Sequence, residues 1–184
     1  MAHKEQRDFL QSLKEARPEF FTDVTVLEVG SLNINGTVRD FFQPTTYVGV
    51  DVAEGPGVDV VALGQDLTYP DNSFDIAISA ECFEHNPEWA LTFANMHRIA
   101  KTAVIFTCAS EGRPEHGTHA AHPTSSPLTL DWDYYRNLTA ADFEQTFDIP
   151  SMFIEYAFDY NPHSCDLYFW GVKAADDTSE TARA

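Results

Sequence analysis

Thr25-Val26-Leu27-Glu28-Val29 is an apolar run rich in β-branched residues, and it breaks directly into Gly30-Ser31-Leu32-Asn33-Ile34-Asn35-Gly36, a stretch of turn formers. A short run of this kind reads as the central strand of an open sheet, and ligands sit at the carboxyl ends of such strands. The residues at that end are therefore the first candidates for ligand contact. Gly30 has no Cβ to hold a bound molecule off the backbone, and Glu28 can accept hydrogen bonds from an ammonium or amide group.

The flanking sequence alternates helix and strand patterns. Residues 3–16 place Phe9, Leu10, Leu13 and Ala16 on one stripe stopped by Pro18, which predicts a leading helix within residues 1–20 that covers the sheet or the mouth of a site. Residues 37–42 predict a short helix, Tyr47 to Asp51 a second strand ending in an acid, and residues 58–63 a third strand. Ala53-Glu54-Gly55-Pro56-Gly57 is too short and too rich in breakers for the crossover helix that normally joins parallel strands. A bare loop is expected there, leaving part of one sheet face open to a homodimer contact.

Phe74 to Ser79 predicts a fourth strand, and Asn86-Pro87 the cap and first residue of a helix reaching about Ala100, with Trp89, Phe93 and Met96 inward. A fifth strand follows over residues 101–108. Residues 109–126 form a long loop with three histidines, and loops of that length are usually functional or disordered. Thr139 caps a helix through Glu144, and residues 152–160 and 166–173 predict a terminal hairpin around Asn161-Pro162-His163-Ser164. With residues 174–184 as a polar, frayed tail, a single domain spans residues 1–184, its core at about 24–172.

Charge narrows the partners. The chain carries 29 acids against 11 bases, a formal charge of −18, and such a field repels phosphate backbones and anionic membrane surfaces. A nucleic-acid partner is not expected, and the acidity itself reads as solubility or adaptation to salt. Cys82, Cys108 and Cys165 are odd in number and widely spaced, which fits reduced thiols. With no apolar leader and no run of membrane-spanning length, a soluble cytoplasmic protein is expected.

Glu28-Val29-Gly30-Ser31 resembles motif I of class I S-adenosylmethionine-dependent methyltransferases, although Leu32 stands where that motif has its second glycine and Asn35-Gly36 supply backbone freedom later. Asp51 lies 21 residues beyond Gly30 at the end of the second strand, where a carboxylate can take both ribose hydroxyls of an adenosine. A dinucleotide would use the same acid, but the turn after Gly30 lacks the further glycines that let a pyrophosphate approach a helix N-terminus, which disfavours a nicotinamide. The segment from Gln65 to Asp75 resembles the family's passage from third to fourth strand. That resemblance implies that Asp66 accepts a hydrogen bond from the adenine amino group and that Leu67 lies against the ring. Ala80-Glu81-Cys82-Phe83-Glu84-His85 is similar to the Glu-His ending after the fourth strand in many small-molecule methyltransferases, and residues 112–118 and 134–139 resemble segments of bacterial and phage methyltransferases. Ile99-Ala100 passes directly into Lys101, where the family commonly has a Pro-Gly-Gly turn.

The resemblance covers about residues 24–172 and implies an α/β fold, a Rossmann-like parallel sheet with a C-terminal antiparallel hairpin strand and helices on both faces. It implies S-adenosyl-L-methionine as cofactor, held by Glu28, Gly30, Ser31, Asp51, Asp66, Leu67 and Ala80, and a small-molecule acceptor methylated on oxygen or nitrogen. Such a transfer needs alignment and, where required, a base, but no metal. His85 and His116 are the candidate bases because imidazole titrates near neutral pH; the alternatives are a helix-entry hydrogen bond for His85 and a solvated loop position for His116. His116, His119 and His122 recur beside Glu115, but Gly117 and Pro123 oppose a rigid helix presenting them together, so no metal site is expected. Leu32 keeps open a second reading, a cofactor-binding or assembly module of the same fold without turnover.

Overall fold

The computed structural model describes residues 4–34, 36–121 and 133–174. Helix α1, Lys4–Ala16, turns Gln6, Leu10 and Leu13 inward, as its apolar stripe requires. Strand β1, Thr25–Val29, alternates its neighbours: Leu27 and Val29 enter one core cluster, and Val26 enters the other, on the opposite face. Strands β2 (Thr46–Asp51), β3 (Val60–Val61), β4 (Phe74–Ala80), β5 (Ala100–Ala109), β6 (Phe153–Asn161) and β7 (Asp166–Lys173) complete one seven-stranded sheet in the order β3-β2-β1-β4-β5-β7-β6. The first five run parallel, and β7 inserts antiparallel between β5 and β6, as the hairpin pattern predicts.

Helices α2 (Trp89–Ile99), α3 (Ala140–Thr146) and α4 (Ile149–Met152) lie in chain order after β4. Phe93 of α2 and Phe143 of α3 meet Phe83, Phe106 and Phe169 in a cluster of buried rings on one face, whereas Leu10 and Leu13 of α1 pack with Phe20, Phe21 and Val26 on the other. Each sheet face is thus closed by a helix, and the parallel strand ends are left to loops. No helix among the described residues is long and apolar enough to cross a membrane.

Several boundaries differ from the sequence expectation for local reasons. The helix expected over residues 37–42 is one 3-10 turn, Arg39–Phe41. The third strand keeps only Val60 and Val61, because Asp59 is drawn off toward β2: its N–H donates to Gly49 O at 2.8 Å and its carboxylate accepts from the Gly49 N–H and from Arg39, each at 2.8 Å. The crossover from β2 is a bare loop, as expected, and Val61 on that edge is 52% exposed. Helix α2 begins two residues late because Asn86 Oδ1 accepts the Glu88 N–H at 2.8 Å and folds the entry into a turn. His122 and the tail from residue 175 lie outside the described residues.

Candidate active site

The carboxyl ends of β1, β2 and β4 are adjacent, since β1 pairs with both other strands. Gly30 N–H and Ser31 N–H both donate to Val50 O, at 2.8 and 3.1 Å, so the chain stays hooked to β2 just past β1. Gly30 turns there with φ +84, and a Cβ at that position would stand 2.6 Å from Cys82 Cβ. Glycine is therefore demanded twice, by its dihedral and by the loop after β4. Asp51 clamps the same turn: Oδ2 accepts the Leu32 N–H at 3.0 Å and Oδ1 the Val52 N–H at 2.7 Å. An ionised carboxylate offers about four acceptor positions, so Asp51 keeps capacity for a further donor.

Glu28 points to the α1 side of β1, 4% exposed, and its Oε2 accepts the Tyr47 hydroxyl at 2.8 Å. Burial pushes its carboxyl up to about 7, against the opposing help of Tyr47 and Arg39. Ser31 is buried, and its hydroxyl lacks a hydrogen-bond partner. Leu67 and Ala80 are buried beside these strand ends, and Asp66 is exposed on the turn Gly64–Asp66. A buried acid with one donor, an unpartnered hydroxyl and a partly committed carboxylate fit a ligand with an amino group and vicinal hydroxyls. Leu32, the departure from the motif, packs instead on the breaker loop: a Cβ on Gly55 would meet Leu32 Cδ1 at 2.3 Å, and Asn33 N–H donates to Pro56 O at 2.8 Å.

Beyond β4 the chain makes a tight turn, Phe83–His85, entered through Glu81 at φ +51. Gln6 of α1, fully buried, donates to Glu81 Oε1 and to Thr107 Oγ1, each at 2.6 Å, so the leading helix is tied to this end of the sheet. Arg113 reaches Asp166 at 3.2 Å and Glu81 at 4.0 Å. Glu84 is fully buried, and neither of its oxygens receives a hydrogen bond. His85 Nε2 and His116 Nε2 stand 3.9 and 3.8 Å from Glu84 Oε1, and the two rings meet edge to face at 5.2 Å, with Tyr135 against both.

Burial sets the titration of this group. It raises Glu84 to about 7 and lifts Glu81 well above the ordinary carboxylate range, with the Glu84 charge adding to the latter. It depresses both His85 and His116 to about 4, so the imidazoles are neutral at neutral pH. Cys82 is pushed up to about 12, chiefly by burial, which leaves its thiol protonated.

The structure thus brings Glu28, Gly30, Ser31 and Asp51 to one edge and joins His85 to His116 across 31 positions of sequence. Of the histidine triplet, His116 Nδ1 bonds Pro114 O at 3.1 Å and the adjacent Glu115 accepts the Thr118 hydroxyl at 2.5 Å, while His122 lies outside the described residues. Sequence reasoning missed Gln6, Glu81, Glu84, Arg113 and Asp166. Its one usable signal was the pair of acids three residues apart, Glu81 and Glu84, directly after an apolar strand. A cavity of about 560 Å³ lined by residues 144–150 and Tyr156 lies toward the opposite, amino-terminal end of the parallel strands and carries none of these groups.

A family model described as a methyltransferase domain matches residues 30–108. Against curated proteins the chain has no match. Among solved structures it is similar to the YcgJ protein of Bacillus subtilis, at 12% identity over 91% of this chain and 98% of that one, with a TM-score of 0.60. It is similar to magnesium protoporphyrin IX methyltransferase of Synechocystis with bound S-adenosylmethionine, at 11% identity over 95% and 86% of the two chains and a TM-score of 0.58. It is also similar to phosphoethanolamine N-methyltransferase 2 of Haemonchus contortus, in complex with phosphomonomethylethanolamine and S-adenosylhomocysteine, at 13% identity over 90% and 52%, TM-score 0.62. At such identities the shared property is the fold.

Proposed function

From the premise that this chain has the class I S-adenosylmethionine-dependent methyltransferase fold and carries the methyltransferase-domain match, we propose that it transfers a methyl group from S-adenosyl-L-methionine to an oxygen or nitrogen of a small molecule in the cytoplasm. The observation that carries this reading is the meeting of Glu28, Gly30 and Asp51 at the ends of two neighbouring parallel strands, next to the imidazoles after β4. Bound there, the cofactor supplies an electrophilic methyl group on a sulfonium. Glu28 holds the amino group, Asp51 the ribose, and Asp66 with Leu67 the adenine, while Gly30, Ser31 and Ala80 line the contact. The acceptor enters beside His85 and His116, whose neutral rings can accept a hydrogen bond from it, while burial, by lowering both to about 4, makes them weaker bases than the free imidazole that the sequence suggests.

The test is calorimetry with S-adenosylmethionine and S-adenosylhomocysteine, followed by detection of S-adenosylhomocysteine over a panel of hydroxylated and aminated small molecules. Saturable binding with product from at least one acceptor is expected. Binding without product across the panel supports the assembly module that Leu32 keeps open; no binding of either cofactor form refutes both.

A further inference from the structure

We propose that Glu84, His85 and His116 form a binding site for one divalent transition-metal ion. The inference does not depend on methyl transfer. It starts from Glu84, a carboxyl with no solvent exposure and no donor within hydrogen-bond distance of either oxygen, whose charged form is costly unless a cation offsets it. The neighbours that face Glu84 Oε1 are two imidazole nitrogens, and 3.8 and 3.9 Å are too long for hydrogen bonds to it. One ligand atom from each of the three residues lies within 4.8 Å of the others. An ion about 2.1 Å from each atom wants them roughly 3–3.5 Å apart, so binding draws the three side chains together.

The surroundings orient the ligands. His116 Nδ1 is paired with Pro114 O at 3.1 Å, which fixes that nitrogen as the donor and presents the Nε2 lone pair to Glu84. Tyr135 holds both rings and donates its hydroxyl to the same Pro114 O at 3.2 Å. Gly117, at φ +66, makes room for His85: a Cβ there would lie 2.7 Å from His85 Cε1. Behind Glu84 stands Glu81, whose Oε2 is also buried without a hydrogen bond, with Arg113 4.0 Å from Glu81 and 3.2 Å from Asp166. Two imidazoles and a carboxylate suit Mn²⁺, Fe²⁺ or Zn²⁺ better than the oxygen-loving Mg²⁺ or Ca²⁺. Three protein ligands leave coordination positions open for a hydroxyl or carboxylate of a bound molecule.

The full chain, stripped with EDTA, is titrated calorimetrically with MnCl₂ and ZnCl₂ in the absence of cofactor and acceptor. One ion per chain is expected, with a rise in melting temperature. Glu84→Gln and His116→Ala should each weaken binding at least about tenfold, and His163→Ala, an exposed histidine elsewhere, should not. His116 lies on a surface loop, so that variant keeps the fold and the comparison intact. No saturable binding up to about 1 mM metal, or equal binding by all four proteins, overturns the proposal. Because the readout involves no methyl transfer, its failure leaves the methyltransferase reading standing; its success commits the Nε2 lone pairs of His85 and His116 to the ion and takes both imidazoles out of the role of base.

Discussion

Replacing Glu28 by Gln should make the free protein more stable at alkaline pH while weakening its hold on an aminated ligand. Burial raises the Glu28 carboxyl from 4.5 to about 7, with Tyr47, Arg39 and Asp51 as the groups that face it. Below about pH 4.5 the side chain is protonated in both folded and unfolded chains, and its contribution to stability is fully present. Between pH 4.5 and 7 the unfolded chain ionises while the folded one keeps its proton, so that stability is lost as pH rises through about 7. The difference between 4.5 and about 7, at 1.36 kcal/mol per pH unit, amounts to roughly 3 kcal/mol. Gln is near-isosteric, can still accept the Tyr47 hydroxyl and does not titrate. Urea unfolding at a series of pH values from 4 to 8.5 should therefore show the variant gaining on the native chain by ~3 kcal/mol between the two ends, with the gain centred between the two titrations. Any constant cost of the amide N–H₂ displaces the difference curve without changing its slope. A difference that is flat with pH refutes the claim that Glu28 is buried at its own expense for the sake of a cationic ligand. In the second arm, calorimetry should show S-adenosylmethionine affinity reduced at least about tenfold, since a charge-assisted hydrogen bond has been lost.

Asp51→Ala should weaken cofactor binding strongly in the same assay and also loosen the turn at Leu32, seen as faster amide exchange there; unchanged affinity removes Asp51 from the ribose role. His85→Ala should lower turnover by about 10²-fold or more with cofactor affinity largely kept, and full activity would take it off the catalytic list. Gly117→Ala should cost about 1–2 kcal/mol for its left-handed backbone and displace the His85 ring, so that thermal stability and turnover fall together. If the melting temperature drops while turnover holds, the ring is not positioned by that glycine.

Much of the architecture was legible because its causes are local. Val26, Leu27 and Val29 put apolar side chains on both faces of Thr25–Val29 and require a covered strand, Asn161 to Ser164 are turn formers, and the breaker-rich link after Asp51 excludes a crossover helix. That Glu28, Gly30 and Asp51 would share one edge was legible the same way, since a residue at the tip of a parallel strand lies there whatever the loops do. Boundaries slipped where a side chain competed with the backbone, as Asn86 did at the start of α2 and Asp59 beside β3.

What the tertiary structure alone decided is chemical state and company. Nothing local says that Gln6 will end 75 positions away against Glu81, or that a loop after β5 will lay His116 beside His85 and Glu84. Nor does the bare string distinguish Glu28, held near neutrality, from a solvated acid: desolvation depends on what long-range packing removes from water, and that is settled only when the strands, α1 and the loops close over the same few oxygens.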